Sequence, residues 1–340
     1  MSANDSSTPA GLVDLASARI GGRALAANDE FFAEKENLLQ PGRGIFIPDK
    51  YTDHGKWMDG WETRRRRTPG HDWCVVQLGL RGIIKQLDID TNHFLGNHPP
   101  FASLDALCLT TEFPGDVKAI ESLPWTSVLA QSPLQPGSQN LFTVAADQPA
   151  THVRLNIIPD GGVARLRVYG IVVPDWSKLK PGQLLDLAAV ENGGVPLACS
   201  DMFFSSMNNL IMPGRSANMG DGWETKRRRG PGHDWIILKL GLPGATEKIE
   251  IDTNHFKGNY PDTCSIEGCV APGASSEDLT SPQARWQEVL PQTKLEADKR
   301  HFFESELAPL PNCTHLRLNI YPDGGVSRLR VWGTPIVPNE

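Results

Sequence analysis

The stretch Thr151–Gly170 reads THVRLNIIPDGGVARLRVYG, and the stretch Thr314–Gly333 reads THLRLNIYPDGGVSRLRVWG. Sixteen of the twenty positions are identical at an offset of 163 residues. In both, two runs that alternate aliphatic with polar residues flank Pro-Asp-Gly-Gly, which predicts two β-strands joined by a turn. The aliphatic members should face the core and the polar members solvent. In the first copy the inward set is Leu155, Ile157, Leu166 and Val168, and the outward set is Arg154, Asn156, Arg165 and Arg167.

Two more blocks repeat at an offset of 162 residues. DGWETRRRRTPGHDW (Asp59–Trp73) returns as DGWETKRRRGPGHDW (Asp221–Trp235), and LDIDTNHFLGN (Leu87–Asn97) returns as IEIDTNHFKGN (Ile249–Asn259). Upstream, the offset grows to 172 between Asp14–Phe32 and Asp186–Phe204, so the first copy carries about ten extra residues, roughly GIFIPDKYTD. Two long copies indicate a tandem duplication rather than a solenoid.

The repeated short strands and turn signals predict an all-β protein of two tandem homologous jelly-roll β-sandwich domains, galactose-binding-like in type. We place a disordered N-terminal tail at residues 1–11, the first domain at 12–176, a linker at 177–183 and the second domain at 184–340. A short helix is expected at Asp29–Gln40, with Asn28 as its cap and Pro41-Gly42 as its stop.

Composition excludes several classes of protein. The formal net charge is −7, which argues against nucleic acid or an anionic membrane surface as a partner. The polar N-terminus has no apolar signal region, and no apolar run is long enough to cross a membrane. The six cysteines have neither zinc-ribbon spacing nor matched positions in the two copies, so we expect free thiols and a cytoplasmic protein.

Polar residues that match between the copies point to a shared function, because packing alone does not require them to match. The connecting stretches 98–150 and 260–313 have diverged meanwhile. The matched polar residues of the first copy are Glu62, Thr63, Arg65, Arg66, Arg67, His71, Asp72, Thr91, Asn92, His93 and Asn97. Those of the second are Glu224, Thr225, Arg227, Arg228, Arg229, His233, Asp234, Thr253, Asn254, His255 and Asn259.

Each cluster also has a structural interpretation. The arginines at 65, 67, 165 and 167 could pair across strands with Asp88, Asp90 and Glu62. A histidine such as His71 is more often hydrogen-bonded in a fold than catalytic. A metal site from His71, Asp72, His93 and Asp90 is conceivable, but no metal-ligand spacing supports it, so no cofactor is assigned.

Taken together, the doubled DGWETRRRRTPGHDW, IDTNHFxGN and LNIxPDGGVxRLRVxG motifs resemble the allantoicase family over nearly the whole chain, from about Leu12 to Val337. The resemblance implies an enzyme of purine breakdown that converts allantoate and water into ureidoglycolate and urea. It also implies a homo-oligomer, with a hexamer suggested by the family.

The candidate site residues suit that chemistry. Arginine grips a carboxylate at two points, and breaking a carbon–nitrogen bond to a ureido group needs a proton donor and a base. We expect the catalytic residues to be His71 with Glu62, and His233 with Glu224. The expected substrate-binding residues are Arg65, Arg66, Arg67, Asn92 and His93, with Arg227, Arg228, Arg229, Asn254 and His255 in the second copy.

The alternative hypothesis is a non-enzymatic function. Sandwiches of this kind also serve as ligand-binding modules for a small anion or a sugar, and fold alone does not separate the two. The duplicated arginine, histidine and asparagine set favours chemistry on an anion. Urea release from allantoate distinguishes the two readings.

Overall fold

The structure is a computed structural model that describes residues 8–180, 182–309 and 312–336. Leu12–Val173 and Pro174–Glu340 each form a compact unit. Most of the predicted tail, and residue 181 of the predicted linker, lie outside the described residues, and the exact domain limits stay a prediction.

The regular secondary structure of the first domain is almost entirely β-strand. Its helical segments are α1 (Val117–Ser122) and the 3-10 turns Ala18–Ile20 and Lys35–Leu39. The strands are β1 (Val13–Asp14), β2 (Arg23–Ala27), β3 (Tyr51–Thr52), β4 (Gly55–Lys56), β5 (Trp61–Glu62), β6 (Asp72–Asp90), β7 (Phe101–Leu107), β8 (Thr126–Pro133), β9 (Gln139–Thr143), β10 (Ala150–Ile158), β11 (Gly162–Val163) and β12 (Arg165–Val172).

The second domain repeats this pattern without a counterpart of β3 and β4 in its described part. Its helical segments are α2 (Ser276–Thr280) and the 3-10 turns Trp176–Lys178, Val190–Asn192, Met207–Ile211 and Met219–Asp221. The strands are β13 (Leu185–Asp186), β14 (Val195–Cys199), β15 (Trp223–Glu224), β16 (Asp234–Asp252), β17 (Thr263–Cys269), β18 (Gln287–Lys294), β19 (Arg300–Phe303), β20 (Cys313–Tyr321), β21 (Gly325–Val326) and β22 (Arg328–Pro335).

One long strand organises each domain. The main sheet of the first domain has the order β1-β12-β6-β10-β7-β8, and that of the second has the matching order β13-β22-β16-β20-β17-β18. The first half of β6 pairs with β10 and β2, whereas its second half pairs with β12 and β9. The partners change near Gly79, where an added Cβ would lie 2.5 Å from the Ile20 carbonyl oxygen. The strand therefore passes from one layer to the other, which confirms the predicted pair of β-sandwiches.

The Pro-Asp-Gly-Gly segment ends one strand and begins the next, as predicted, but the two strands do not pair with each other. β10 pairs with residues 72–77 of β6 and also with β7, while β12 pairs with residues 82–90 of β6. Between them, the two residues of β11 pair with β5. The turn thus connects the two layers and brings β5 against the end of the sandwich.

The predicted outward direction of the polar residues on β10 and β12 is wrong for three of them. Asn156, Arg165 and Arg167 are only 4%, 3% and 5% exposed. The segment after the 3-10 turn Lys35–Leu39 covers Arg167, whose Nη2 donates to the carbonyls of Gln40 (2.7 Å) and Gly42 (2.6 Å). Asn156 instead donates from its side chain to Asp105 of β7 at 2.9 Å. An arginine is tolerated in a buried position only where buried groups, such as carbonyls, accept its hydrogen bonds. The alternation along a strand does not show which distant segment supplies those groups.

The helix expected at Asp29–Gln40 is also wrong, since only the 3-10 turn Lys35–Leu39 forms. Residues before it are held extended, because the amides of Phe32 and Ala33 donate to the Glu62 carbonyl. The Asp29 carbonyl accepts from the buried Trp61 indole at 2.8 Å. Tertiary contacts to β5 therefore override the local helix signal.

Candidate active site

The three repeated polar blocks contact one another in each domain. In the first, the Gly162 amide donates to the Asn97 carbonyl (2.8 Å) and the Arg66 amide to the Asp160 carboxylate (2.7 Å). A Cβ on Gly162 would lie 2.0 Å from the ring of Phe94, so the turn and the NHF segment are tightly packed. This packing accounts for the matched glycine and phenylalanine, and it brings β5 beside the segment that carries His93 and Asn97.

A hollow of about 410 Å³ opens at this place in the first domain. It is lined by side chains from β5, from the 93–97 segment and from the extra residues of the first copy: Phe32, Phe46, His54, Lys56, Met58, Glu62, His93, Leu95 and Asn97. Of the predicted site residues, the hollow brings together Glu62 and His93. It is small, partly apolar and carries groups able to transfer protons, as an active site for a small molecule requires.

Glu62 is the half-buried acid of the hollow. Its Oε1 accepts a hydrogen bond of 2.7 Å from the Asn97 side-chain amide. Burial raises the pKa of Glu62, because the ionised form loses hydration, while the Asn97 hydrogen bond lowers it in part. An acid so placed keeps its proton to higher pH than an exposed glutamate, which suits it to donate a proton.

His93 lines the same hollow as Glu62, and its backbone is strained. Its φ is +68°, in the left-handed region that non-glycine residues rarely adopt. The exposed imidazole lies 5.6 Å from the ring of Phe46, centroid to centroid. Such backbone strain occurs preferentially at functional sites, and here the second copy repeats it, with His255 at φ +71°.

A hairpin that begins in the extra residues of the first copy lies beside the hollow. β3 and β4 pair through a turn at Asp53-His54, and the His54 imidazole stacks on Phe31 at 4.2 Å. On β4, the Lys56 ammonium lies 4.9 Å from the Phe46 ring centroid and 4.7 Å from that of Tyr51. The hairpin therefore adds a cation and an imidazole to the wall of the hollow.

The second domain keeps the acid and its amide but arranges their neighbours differently. Glu224 accepts a hydrogen bond from the Asn259 side chain, and burial raises its pKa. Asn259 also contacts the Met219 sulfur at 3.9 Å, and His255 Nε2 donates to the Ser216 carbonyl at 3.0 Å. The imidazole that is exposed in the first domain is thus hydrogen-bonded to the protein in the second.

The arginine runs lie apart from these groups. Arg66 pairs with the buried Asp72 (Nη1–Oδ1 2.8 Å), and Arg228 pairs with Asp234 in the same way. Arg65 and Arg67 are exposed and bond to no described residue, and the same holds for their copies at 227 and 229. One arginine of each run thus holds a buried carboxylate, and Arg64 of the first run also pairs with Asp29 at 2.6 Å.

The alternative cross-strand pairing of arginines is wrong in its partners. Arg165 pairs with Asp59 at 2.7 Å, while Arg43 takes Asp90 at 2.9 Å with two hydrogen bonds. Asp88 accepts instead from Gln139 at 2.7 Å. Arg43, which directly precedes the insertion, was not among the predicted partners of these carboxylates.

The remaining predicted residues have mainly local roles. The His71 side chain is exposed and bonds to none of residues 8–180, whereas the His233 ring lies 4.6 Å from that of Tyr321. Asn92 donates to the Gly44 carbonyl at 2.8 Å, and Asn254 donates to Ser216. These contacts fix loops, and none of the four lines the 410 Å³ hollow.

The conceivable metal site is not assembled from the expected ligands. Within the described ranges, no three histidine, cysteine, aspartate or glutamate side chains are grouped as a metal site would need. Asp72 and Asp90 are instead engaged by arginines.

Comparison with known proteins identifies the family. The model described as "Allantoicase repeat" matches residues 13–173 and again 185–336.

The chain belongs to the allantoicase family.

A "Probable allantoicase 1" of Burkholderia mallei is 52% identical over 95% of this chain and 94% of its own length. A "Probable allantoicase" of Pseudomonas aeruginosa is 52% identical over 96% and 97%. The crystal structure of the Saccharomyces cerevisiae allantoicase superposes with a TM-score of 0.80 at 38% identity, covering 95% of this chain and 93% of that one. These allantoicase relatives confirm the resemblance carried by the three motifs.

No helix in the described part of the chain is long and apolar enough to cross a membrane.

Two residues of the hollow, Asn97 and Lys56, were missing from the predicted site. Asn97 belongs to the matched polar set together with Asn259, and the hydrogen bond of each to its glutamate was available only from the fold. Lys56 follows the extra residues of the first copy, and Asn218 stands at its position in the second copy, so comparison of the copies did not select it.

Proposed function

We propose that this chain is an allantoicase that hydrolyses allantoate to ureidoglycolate and urea. Membership of the allantoicase family, with the repeat matched twice, is the observation that carries the proposal. Enzymes of this class cleave a carbon–nitrogen bond by adding water. The hollow beside Glu62 is where we place this reaction.

The substrate dictates which groups are needed. Allantoate has a carboxylate on a carbon that also carries two ureido groups, and the bond to one ureido nitrogen breaks. Urea leaves readily only when that nitrogen receives a proton, and water attacks readily only when it loses one. The reaction therefore needs an acid and a base on opposite sides of one carbon.

Glu62 is suited to be the acid, because burial raises its pKa and its hydrogen bond to Asn97 fixes the carboxyl group. We assign His93 as the base that takes a proton from the attacking water. Hydroxide then bonds to the carbon, the carbon–nitrogen bond breaks, and Glu62 gives its proton to the departing nitrogen. Exchange with solvent returns the proton from His93 to Glu62, so the balance is one water consumed and one urea released.

The predicted roles of His71, Arg65 and Arg67 remain proposals, and the side chains of these residues do not line the hollow. The same holds for Asn92, and for Glu224, His233, Arg227, Arg229, Asn254 and His255 of the second copy. His71→Gln and His233→Gln, singly and together, test the histidine assignment. Loss of turnover in a folded His71→Gln protein would move the base from His93 to His71.

Three further properties belong to the proposal. The buried thiols of Cys74, Cys264 and Cys269 suit a reducing cytoplasm. The family resemblance supports a homo-oligomer, which light scattering of the purified protein measures. No cofactor is assigned, and dialysis against a chelator measures whether the rate depends on a divalent metal.

Urea release is the direct test of the function. Purified protein incubated with allantoate should release one urea for each ureidoglycolate formed. Allantoin, the cyclic precursor, serves as the control substrate and should release none. A folded protein that leaves allantoate intact would contradict the proposal.

A further inference from the structure

A lysine that no predicted motif contains lies in the wall of the hollow. Lys56 is half-buried on β4, with its ammonium near the rings of Phe46 and Tyr51. Glu62 and His93 line the same hollow. The hairpin thus places a positive charge in the space where the acid and the base also lie.

This charge has no counterion among the residues that the structure describes, because Lys56 forms neither a salt bridge nor a hydrogen bond with them. Its neighbour on the same segment differs: Lys50 lies over the Trp57 ring at 3.6 Å, and its side chain is exposed away from the lining. A half-buried ammonium between aromatic faces is poorly hydrated, so it attracts an anion more strongly than a surface lysine does.

The arginine run offers no comparable group in the hollow. Arg66 is committed to the buried Asp72, and Arg65 and Arg67 are absent from the lining. The proposed substrate has a carboxylate, and an ammonium in the hollow would bind it directly. Lys56 is the lysine in the lining, which contains no arginine.

We infer that Lys56 binds the carboxylate of the substrate, and that for this reason the substrate is hydrolysed in the hollow of the first domain. The inference rests on the proposed allantoate hydrolysis. The ammonium holds the carboxylate as a point charge and thereby sets the adjacent carbon between Glu62 and His93. The substrate class is a small 2-substituted carboxylate with a ureido leaving group.

The second domain lacks this cation. The position at the 162-residue offset from Lys56 is Asn218, which is neutral. The other groups are also engaged with the protein, since His255 bonds to Ser216 and Asn259 contacts Met219. Lys257, at the position of the lining residue Leu95, lies 4.0 Å from the Asp298 carboxylate. The second copy therefore keeps the glutamate–asparagine pair without a cation at the position of Lys56.

Substitution of the lysine tests the inference through the split between KM and kcat. Lys56→Met should raise the KM for allantoate about 10- to 100-fold, the usual effect of losing one hydrogen bond to a charged group, with a smaller change in kcat. Lys56→Arg keeps the charge and should recover most of the affinity. Lys50→Met, on the same hairpin, controls for damage to the hairpin and should keep the wild-type KM.

A neutral substrate separates charge recognition from a structural role. The carboxamide analogue of allantoate, tested as a competitive inhibitor, should bind wild type and Lys56→Met equally, whereas allantoate itself should not. If the wild type releases urea but Lys56→Met binds allantoate as tightly as wild type does, the inference is wrong and the proposed function stands. If Lys56→Met weakens the analogue and allantoate alike, the lysine acts on the shape of the hollow, which also overturns the inference. If the wild type releases no urea, the proposed function fails first.

Discussion

Replacing Asp88 by asparagine should change how the stability of the first domain depends on pH. Asp88 is 2% exposed, and its Oδ1 has no hydrogen-bond partner within the described ranges. Burial, together with the nearby Asp90 carboxylate, raises the pKa of Asp88 from its usual 3.8 to about 6, against the opposing effect of the Gln139 hydrogen bond. The folded domain thus holds a proton that the unfolded chain has already lost.

The sign and size of the effect follow from this difference in pKa. Between pH 3.8 and 6 the folded state binds more protons than the unfolded state, so stability falls as pH rises through this window. A shift of about 2 units, at about 1.36 kcal/mol each, amounts to roughly 3 kcal/mol lost by pH 7. The asparagine variant cannot ionise and does not lose this amount.

The assay is urea unfolding of wild type and Asp88→Asn at pH 4.5 and pH 7.5, followed by tryptophan fluorescence. The variant should gain stability relative to wild type on going from pH 4.5 to 7.5, by about 2 kcal/mol, because about 1 kcal/mol of the total loss has already occurred at pH 4.5. Comparing the two proteins at each pH removes every pH effect that they share. It also removes any constant cost of the new amide.

The second copy supplies a matched control. Glu250 occupies the equivalent position at the 162-residue offset, but Arg300 holds its carboxylate with hydrogen bonds of 2.7 and 2.8 Å. Glu250→Gln should therefore lower stability at pH 7.5, the opposite direction. An Asp88→Asn difference that is the same at both pH values, or that falls at pH 7.5, would refute the reasoning.

Two further predictions concern Arg66 and Asn97. Arg66→Ala should lower the free energy of unfolding by about 3 to 5 kcal/mol, because Asp72 is left buried without its ion pair; a thermal melt that is unchanged would show the pair to be dispensable. Asn97→Ala removes the hydrogen bond that lowers the pKa of Glu62, so that pKa rises further and the high-pH limb of kcat/KM should move to higher pH. A limb that moves to lower pH, or stays in place, would count against Glu62 as the acid.

The fold could largely be predicted from the repeated blocks. Period-2 patterns on both sides of Pro-Asp-Gly-Gly located β10 and β12, and the doubled motifs predicted two sandwiches. The burial of Arg165 and Arg167 could not be predicted, because it depends on carbonyl groups of residues distant in sequence: Asn37 and Asp59 for Arg165, and Gln40 for Arg167. Periodicity reports which residues share a face, and it does not report what covers that face.

The site was harder to predict than the fold, for a related reason. Matching between the copies selected Glu62 and His93, which do line one hollow, but it also selected Arg66, whose match is explained by the ion pair with Asp72. An arginine can match between the copies because it forms a buried ion pair or because it contacts the substrate. The match alone does not distinguish these two roles. Lys56 could not be selected by this comparison, since the residue at its position in the second copy, Asn218, is different.

The most direct test of the account compares Glu62→Gln with Glu224→Gln by their rate of urea release from allantoate. The central claim is that the hollow of the first domain carries the reaction. Loss of a general acid typically lowers the rate about 10²- to 10⁴-fold. We expect such a loss for Glu62→Gln and a rate within a few-fold of wild type for Glu224→Gln. Full activity in a folded Glu62→Gln protein, or an equal loss in both variants, would contradict the claim.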